Sequence, residues 1–241
     1  VSDYLDGSCV VEGRPYSTFY SYQFDQLDPD DGKPMFKNLD IEGVEKATDF
    51  LVESGKFTPD FAGGLNTMFK YKRWTLYALF AVQWGGHGRL PEMYPGASSS
   101  VNGLPKPEQN VSRKLIQRWK EKGDEKNTNI PSLPGIGNDN VRLPKTTLES
   151  MSSLFVNLYE AYNYSDLLVA NTDFIRCRSL SLGYELNPEW LKRVYIQRMQ
   201  VKASMTNPFM WVSDKKWDGL DPETGNWPAR RVTSLSLQVV F

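Results

Sequence analysis

The ten residues Val232–Phe241 (VTSLSLQVVF) alternate in polarity and end on an aromatic side chain. Successive side chains of a β-strand point to opposite faces. Thr233, Leu235, Leu237, Val239 and Phe241 therefore share one wall, and Ser234, Ser236, Gln238 and Val240 the other. In a water-soluble sheet the apolar wall faces a core. In an outer-membrane barrel it faces lipid, and the polar wall lines the lumen. A closing strand that stops on Phe241 without a tail favours the membrane reading.

Five further segments read as strands. Tyr16–Phe24 sets Tyr16, Thr18, Tyr20, Tyr22 and Phe24 against Ser17, Phe19, Ser21 and Gln23. Ala62–Tyr71 places Leu65, Thr67, Phe69 and Tyr71 opposite Asn66, Met68 and Lys70. Trp74–Gly85 carries Trp74, Leu76, Ala78, Phe80, Val82 and Trp84 on one side. Phe174–Leu186 keeps Leu180, Leu182, Tyr184 and Leu186 in phase, while Ile175 and Cys177 are out of phase, which points to a bulge or to emergence from lipid. Arg198–Val212 faces Met199, Val201, Ala203 and Met205 one way and Gln200, Lys202, Ser204 and Thr206 the other. Asn66, Lys70, Gln200, Lys202 and Thr206 suit a lumen lining or a contact with an internal plug.

Connection lengths alternate. Lys72–Arg73 is a tight hairpin and Asn187–Ile196 a modest turn, whereas Asp25–Asp60, Gly86–Asp173 and Ser213–Arg231 are long. If the last strand ends in the periplasm, both short turns lie on that side and the long connections lie outside, which is the rule for outer-membrane barrels. The longest, residues 86–173, reads as an extracellular insert with structure of its own. Asn110 or Ser112 can cap a helix reaching Lys122, and Thr147–Tyr162 shows helical spacing of apolar residues. Pro- and Gly-rich sequence separates them.

Composition sets limits. The net charge of −1 offers no basic field for nucleic acid. Mean hydropathy is −0.49, and no apolar run reaches the roughly 18 residues of a transmembrane helix, a test that strands of about 10 residues escape. Aromatic residues make up 13%, which fits the aromatic girdles of a barrel and also a soluble carbohydrate-binding β-sandwich. The opening VSDYLDGSCVVEGRPY has no signal-peptide pattern and reads as the interior of a longer protein. Whether Cys9 and Cys177 meet is left open, with two unpaired thiols the simpler expectation.

His87 is the only histidine, which excludes a histidine-based metal cluster, and no G-x-S-x-G elbow is present. No enzyme, resident metal or cofactor is implied. His87 falls at the outer rim after Trp84, where a hydrogen bond to neighbours is its expected role. Trp84, Tyr94, Trp211, Trp217 and Trp227 fall at strand ends or in long connections, where aromatic faces can stack on sugar rings. The same positions suit an interfacial girdle for Trp84 and Trp211 and loop packing for Trp217 and Trp227. DPDDG at Asp28–Gly32 has the oxygen donors of a calcium loop but lacks a bidentate glutamate at the right distance after the glycine. A turn, echoed by DPETG at Asp221–Gly225, is the expected reading.

The blocks GRPYSTFYSYQFDQLDPDDGKPMF, TPDFAGGLNTMFKYKRWTLYALFAVQWGG, NTDFIRCRSLSLGYEL and VKASMTNPFMWVSDKKWDGLDPETG resemble, in order and over nearly the whole chain, the C-terminal barrel of SusC/RagA-type TonB-dependent transporters of Bacteroidetes outer membranes. The resemblance implies an all-β fold: about six antiparallel strands of a plugged barrel of about 22, with long extracellular loops containing short helices. It implies uptake of oligosaccharide or peptide with a SusD-type surface lipoprotein as lid, and TonB acting through the plug. Relative to that pattern this chain lacks the plug, the TonB-interacting segment and the earlier strands. It is expected to be completed by them, with Val232–Phe241 pairing on its far side with the barrel's first strand. Phe241 matches the terminal aromatic read by barrel-assembly machinery. His87 and the rim aromatics Trp84, Tyr94, Trp211, Trp217 and Trp227 are the substrate-binding candidates.

Overall fold

Five of the six alternating segments form one antiparallel sheet: β1 (Phe61–Tyr71), β2 (Trp74–Trp84), β3 (Phe174–Glu185), β4 (Arg198–Val212) and β5 (Val232–Val240). Each lies beside its predecessor in the chain, so the sheet is an up-and-down meander with β1 and β5 at its edges. The structure, a computed structural model, describes residues 1–39, 46–98, 101, 103–135, 139–143, 155–193 and 195–241. It divides into two compact units, residues 1–58 with 87–170, and residues 59–86 with 171–241. The second holds the sheet.

The meander puts all short connections at one end. Lys72 takes the left-handed conformation (φ 52°) that closes the two-residue hairpin between β1 and β2. Between β3 and β4, Asn187 caps a short helix, Pro188–Lys192, by accepting the Glu189 N–H at 3.2 Å, and Pro188 occupies the first turn.

The phase break expected in β3 is a pair of compensating bulges. Cys177 and Ser179 lie opposite the consecutive residues Phe80 and Leu79 of β2, so β3 carries one extra residue there. On the other side they pair with Phe209 and Thr206, so β4 carries one more, with Asn207 at φ 51°. The face index therefore switches in β3, so that Cys177 and Ile175 stay on the same face as Leu180 and Leu182.

The first expected strand is not in this sheet. Within Tyr16–Phe24 only Thr18–Tyr22 is extended, and it pairs with Leu51–Lys56 in the first unit. All five of its residues are buried, on both faces. Five residues are also too few for a membrane-spanning strand, which needs roughly 9–11. Tyr20, Tyr22, Phe50, Leu51, Val156 and Ala161 build one core of this unit. Met93, Tyr94, Leu115, Tyr159, Tyr162 and Leu168 build the other.

Both helix expectations need correction. Ser112 does cap, accepting the Lys114 N–H at 3.3 Å, but the capped element is a 3-10 turn, Arg113–Gln117, and not a helix to Lys122. Leu115 alone of that turn is buried, and one anchor does not make an amphipathic stripe. Residues 147–154 of the second lie outside the described residues. Beyond them Phe155–Asn157 is a strand paired with Asn140–Arg142, and the helix is confined to Leu158–Asn163.

DPDDG and DPETG adopt the same turn. Asp28 accepts the Asp30 N–H at 2.8 Å through Oδ1 and the Gly32 N–H at 2.8 Å through its carbonyl. Asp221 does the same for Glu223 at 3.0 Å and Gly225 at 2.8 Å. The glycines sit at φ 69° and 68°. Asp30 and Asp31 face Lys122 and Lys33 at 2.7 and 2.9 Å. Both cysteines are free thiols.

Candidate functional site

The register of the meander assigns each residue to a wall. One wall carries Phe61, Leu65, Phe69 and Tyr71 of β1, opposite Trp84, Phe80, Leu76 and Trp74 of β2. It continues through Tyr184, Leu182 and Leu180 of β3 and Val201, Ala203 and Met205 of β4. Leu237, Leu235 and Thr233 of β5 complete it. Among the described residues, none at a register position of this wall is Asp, Glu, Lys or Arg. The opposite wall carries Asn66 and Lys70, then Thr75 and Tyr77, then Ser181 and Glu185, then Gln200, Lys202, Ser204 and Thr206.

The apolar wall is bare. Leu65 is 60% exposed, Phe69 65% and Leu235 78%. A contiguous apolar surface of this extent is abnormal for a water-soluble sheet and marks contact with something apolar. A sandwich would bury it under a second sheet; the described residues of this unit form a single sheet.

Aromatic rings bound the wall at both ends. At the short-turn end Trp74 and Tyr184 stand 4.6 Å apart between ring centroids, beside Tyr71. At the long-loop end Trp84 and Trp211 stack at 6.3 Å and 25°, with Phe61 facing Trp84 across the ladder. Trp74 and Trp84 are ten residues apart, so at about 3.4 Å per residue they are separated by about 34 Å along the strand. A barrel tilt of about 40° projects that to about 26 Å, close to the roughly 25 Å apolar band of outer-membrane barrels.

The binding candidates are dispersed. Trp84 (46% exposed) and Trp211 (50%) belong to the apolar wall's upper belt. Tyr94 is fully buried, its hydroxyl donating to the Pro131 carbonyl at 2.6 Å. Trp217 is 2% exposed, its Nε1 donating to the Asn171 carbonyl at 2.7 Å. Neither ring has a face free for a ligand, so these two are corrected from rim candidates to packing residues. Trp227, at 79%, stands free in the Ser213–Arg231 loop. His87 packs on Gly55, where an added Cβ would lie 2.5 Å from the imidazole, and its Nδ1 is buried without a hydrogen-bond partner. The hydrogen bond expected of it is absent at that atom. Phe241 is 80% exposed, one residue beyond β5.

Sequence reasoning missed a cavity of about 450 Å³ under the Ser213–Arg231 loop, lined by Arg176, Phe209, Trp217, Leu220, Asp221 and Arg231. Arg176 holds the loop down, with Nη2 2.5 Å from Asp221 Oδ1 and Nη1 3.0 Å from Glu223. Its signal was the arginine interrupting the apolar start of FIRCR. Elsewhere, in the first unit, Arg89 is half-buried and is bonded to backbone carbonyls and a hydroxyl. It donates to the carbonyls of Leu5 at 3.0 Å and Tyr20 at 2.6 Å and to Ser21 Oγ at 3.1 Å, and burial pulls its pKa down to about 10.

A bare uncharged wall of this height, between two aromatic belts and backed by a polar wall, defines a segment of an outer-membrane β-barrel. The particular kind is given by its relatives. The chain is 30% identical over 175 residues to TonB-dependent receptor P39 of Formosa agariphila, covering 71% of this chain and 14% of that protein. It is 23% identical over 230 residues to TonB-dependent receptor P3 of the same organism, covering 88% and 19%. Among solved structures it matches the RagAB peptide transporter with a TM-score of 0.59 at 20% identity, over 92% of this chain and 22% of that one. The RagAB peptide importer in its open-open state matches with a TM-score of 0.58 at 19% identity, over 97% and 24%. No family model matches the chain. The chain is a β-barrel segment related in sequence to the TonB-dependent receptors, and it shares the fold of RagAB. It spans 14–24% of the length of these relatives.

Proposed function

We propose that this chain supplies part of the wall and the outward loops of a TonB-dependent importer that takes up oligosaccharide or peptide together with a SusD-type surface lipoprotein. The observation that carries the reading is the apolar wall, uncharged at every register position and closed at both ends by aromatic belts. It supports lipid contact on one side and a polar conduit on the other. In this reading the sheet end with the long connections faces outward, and residues 86–173 form the insert that meets the lipoprotein. Substrate is held between the loops and the lipoprotein until TonB, acting through the plug, opens a path. Trp227 is the loop aromatic best placed to touch cargo, since Tyr94 and Trp217 are buried. The matched relatives are receptors and transporters, which argues against an enzyme.

The test is isolation of the whole transporter from its own cells in mild detergent, followed by mass spectrometry of everything that accompanies it. A surface lipoprotein in stoichiometric amount, and peptide or glycan released on denaturation, are expected. A purified protein carrying neither, from cells whose growth on peptides and glycans is unaffected by deletion of its gene, would overturn the proposal.

A further inference from the structure

Below the lower aromatic belt the chemistry changes sign abruptly. The β1–β2 hairpin presents Lys72 and Arg73, and the β3–β4 turn presents Lys192 and Arg193. Lys72, Lys192 and Arg193 are exposed and Arg73 is half-exposed, and none has an ion-pair partner among the described residues. Glu189 is the one acid on the two turns. Glu185, just inside them, is already paired with Arg198. The turns are neighbours, because Trp74 pairs with Tyr184 and the Glu185 N–H donates to the Arg73 carbonyl at 2.9 Å. The opposite end of the same strands mixes the two signs, Asp60, Asp173 and Asp214 with Lys215, Lys216, Arg230 and Arg231.

Two large aromatic side chains stand out from the same cationic rim. Trp190 is 66% exposed although its helix buries the adjacent Leu191, and Tyr195 is 91% exposed. Tyr195 also holds a left-handed backbone, φ 58°, unfavourable for a residue with a Cβ. A turn that spends backbone strain and two aromatic faces on water is poorly explained as a connection alone. The order from the sheet outward is an uncharged wall, a belt of Tyr71, Trp74 and Tyr184, then cations interleaved with Trp190 and Tyr195. That order matches the profile of a bilayer from hydrocarbon through interface to headgroup phosphate.

We propose that the short-turn end of this sheet is a binding surface for anionic phospholipid headgroups. Lys72, Arg73, Lys192 and Arg193 meet the phosphates, and Trp190 and Tyr195 lie among the glycerol and upper acyl carbons. The occupant is fixed by charge complementarity and by continuity with the lipid-facing wall. The inference rests on the reading that this sheet spans the outer membrane.

The test uses the whole transporter in nanodiscs made with equal phosphatidylglycerol and phosphatidylcholine, re-extracted into detergent, with retained lipid counted by mass spectrometry. Phosphatidylglycerol should be retained over phosphatidylcholine by about five-fold or more, the effect of even a single cation at a charged lipid surface. The preference should collapse at about 1 M salt, where screening acts within a few ångströms. Combining Lys72→Gln, Arg73→Gln, Lys192→Gln and Arg193→Gln should bring retention to the supplied ratio. Exchanging Lys for Arg and Arg for Lys at the same four positions should leave it intact. Equal retention of both lipids by the parent protein, or a preference that survives salt or neutralisation, would overturn the proposal. If the neutralised protein does not fold, the salt arm decides alone. Failure to enter nanodiscs at all would instead refute the membrane-spanning reading. Both nanodisc leaflets carry the same lipid, so the result is independent of orientation. Orientation is read separately, from labelling of a Lys192→Cys variant by an impermeant maleimide before and after outer-membrane permeabilisation.

Discussion

The side chain of Asn163 grips the backbone of Tyr94 from both sides, accepting its N–H at 3.1 Å through Oδ1 and donating to its carbonyl at 2.8 Å through Nδ2. Oδ1 also accepts the Met93 N–H at 3.0 Å. One buried amide thus satisfies two donors and an acceptor of a segment about 70 residues away in sequence. The same segment directs the Tyr94 hydroxyl to Pro131. The residues between β2 and β3 are held together by these bonds and by the Tyr94, Tyr159 and Tyr162 rings.

Asn163→Ala should destabilise this unit by about 3 kcal/mol, since three buried backbone groups lose their partner at about 1 kcal/mol or more each. Tyr94→Phe should cost about 1–2 kcal/mol by orphaning one carbonyl. Hydrogen exchange on the whole protein reads the first directly. The Met93 and Tyr94 amides should lose protection in Asn163→Ala, and unchanged exchange there would show that the clamp is idle.

Glu160 gives the same unit a pH dependence. Burial, aided by Glu92, raises its carboxyl pKa above the ordinary 4.5, although a hydrogen bond from the Asn157 backbone pulls the other way. The folded form therefore holds the proton more tightly than the unfolded one. Its stabilising contribution is complete below pH 4.5 and is lost as pH rises through the elevated folded value. Glutamine keeps an acceptor for the Asn157 N–H at this helix start and removes the charge. Glu160→Gln should be more stable than the parent at pH 7, and the two should converge near pH 4. Thermal unfolding monitored at both pH values checks the sign.

The Arg176–Asp221 pair should behave as a coupled unit. The two side chains are 12% and 3% exposed, so removing one strands the other away from water. Arg176→Ala should loosen the Ser213–Arg231 loop by about 3–5 kcal/mol. Arg176→Met combined with Asp221→Asn keeps the Glu223 turn bond and should cost less than Arg176→Ala. Limited proteolysis within the loop orders the variants, and simple additivity of the two substitutions would show the pair to be uncoupled.

Legibility in the sequence followed from where the deciding contacts lie. A strand between lipid and lumen must be long and uncharged at alternate positions, and both marks are written locally. That is why β1 to β5 end within two residues of where alternation puts them, and why the phase flip at Cys177 located a real bulge. Thr18–Tyr22 alternates equally well, yet both of its faces are covered by residues distant in sequence, which no periodicity reports. Tyr94 and Trp217 failed for the same reason. Their polar atoms are met by Pro131 and Asn171, nearly 40 and more than 40 residues away, so their place in polar loops suggested exposure.

The lipid reading of the apolar wall makes the sharpest demand on two adjacent residues. Leu65 sits midway along β1, opposite Phe80, on the uncharged wall, and Asn66, opposite Leu79, points to the polar one. The two positions share strand, depth and neighbours in sequence, and differ only in the medium they meet. A lysine at the bilayer midplane costs a barrel about 2–4 kcal/mol on the lipid face, whereas the lumen side tolerates charge. Leu65→Lys should therefore reduce the folded transporter recovered from outer membranes, scored by heat-dependent migration of the whole protein. Asn66→Lys should leave it near parent levels. Equal recovery of the two variants would mean that the bare wall meets protein or water, and the membrane assignment of the sheet would fall with it.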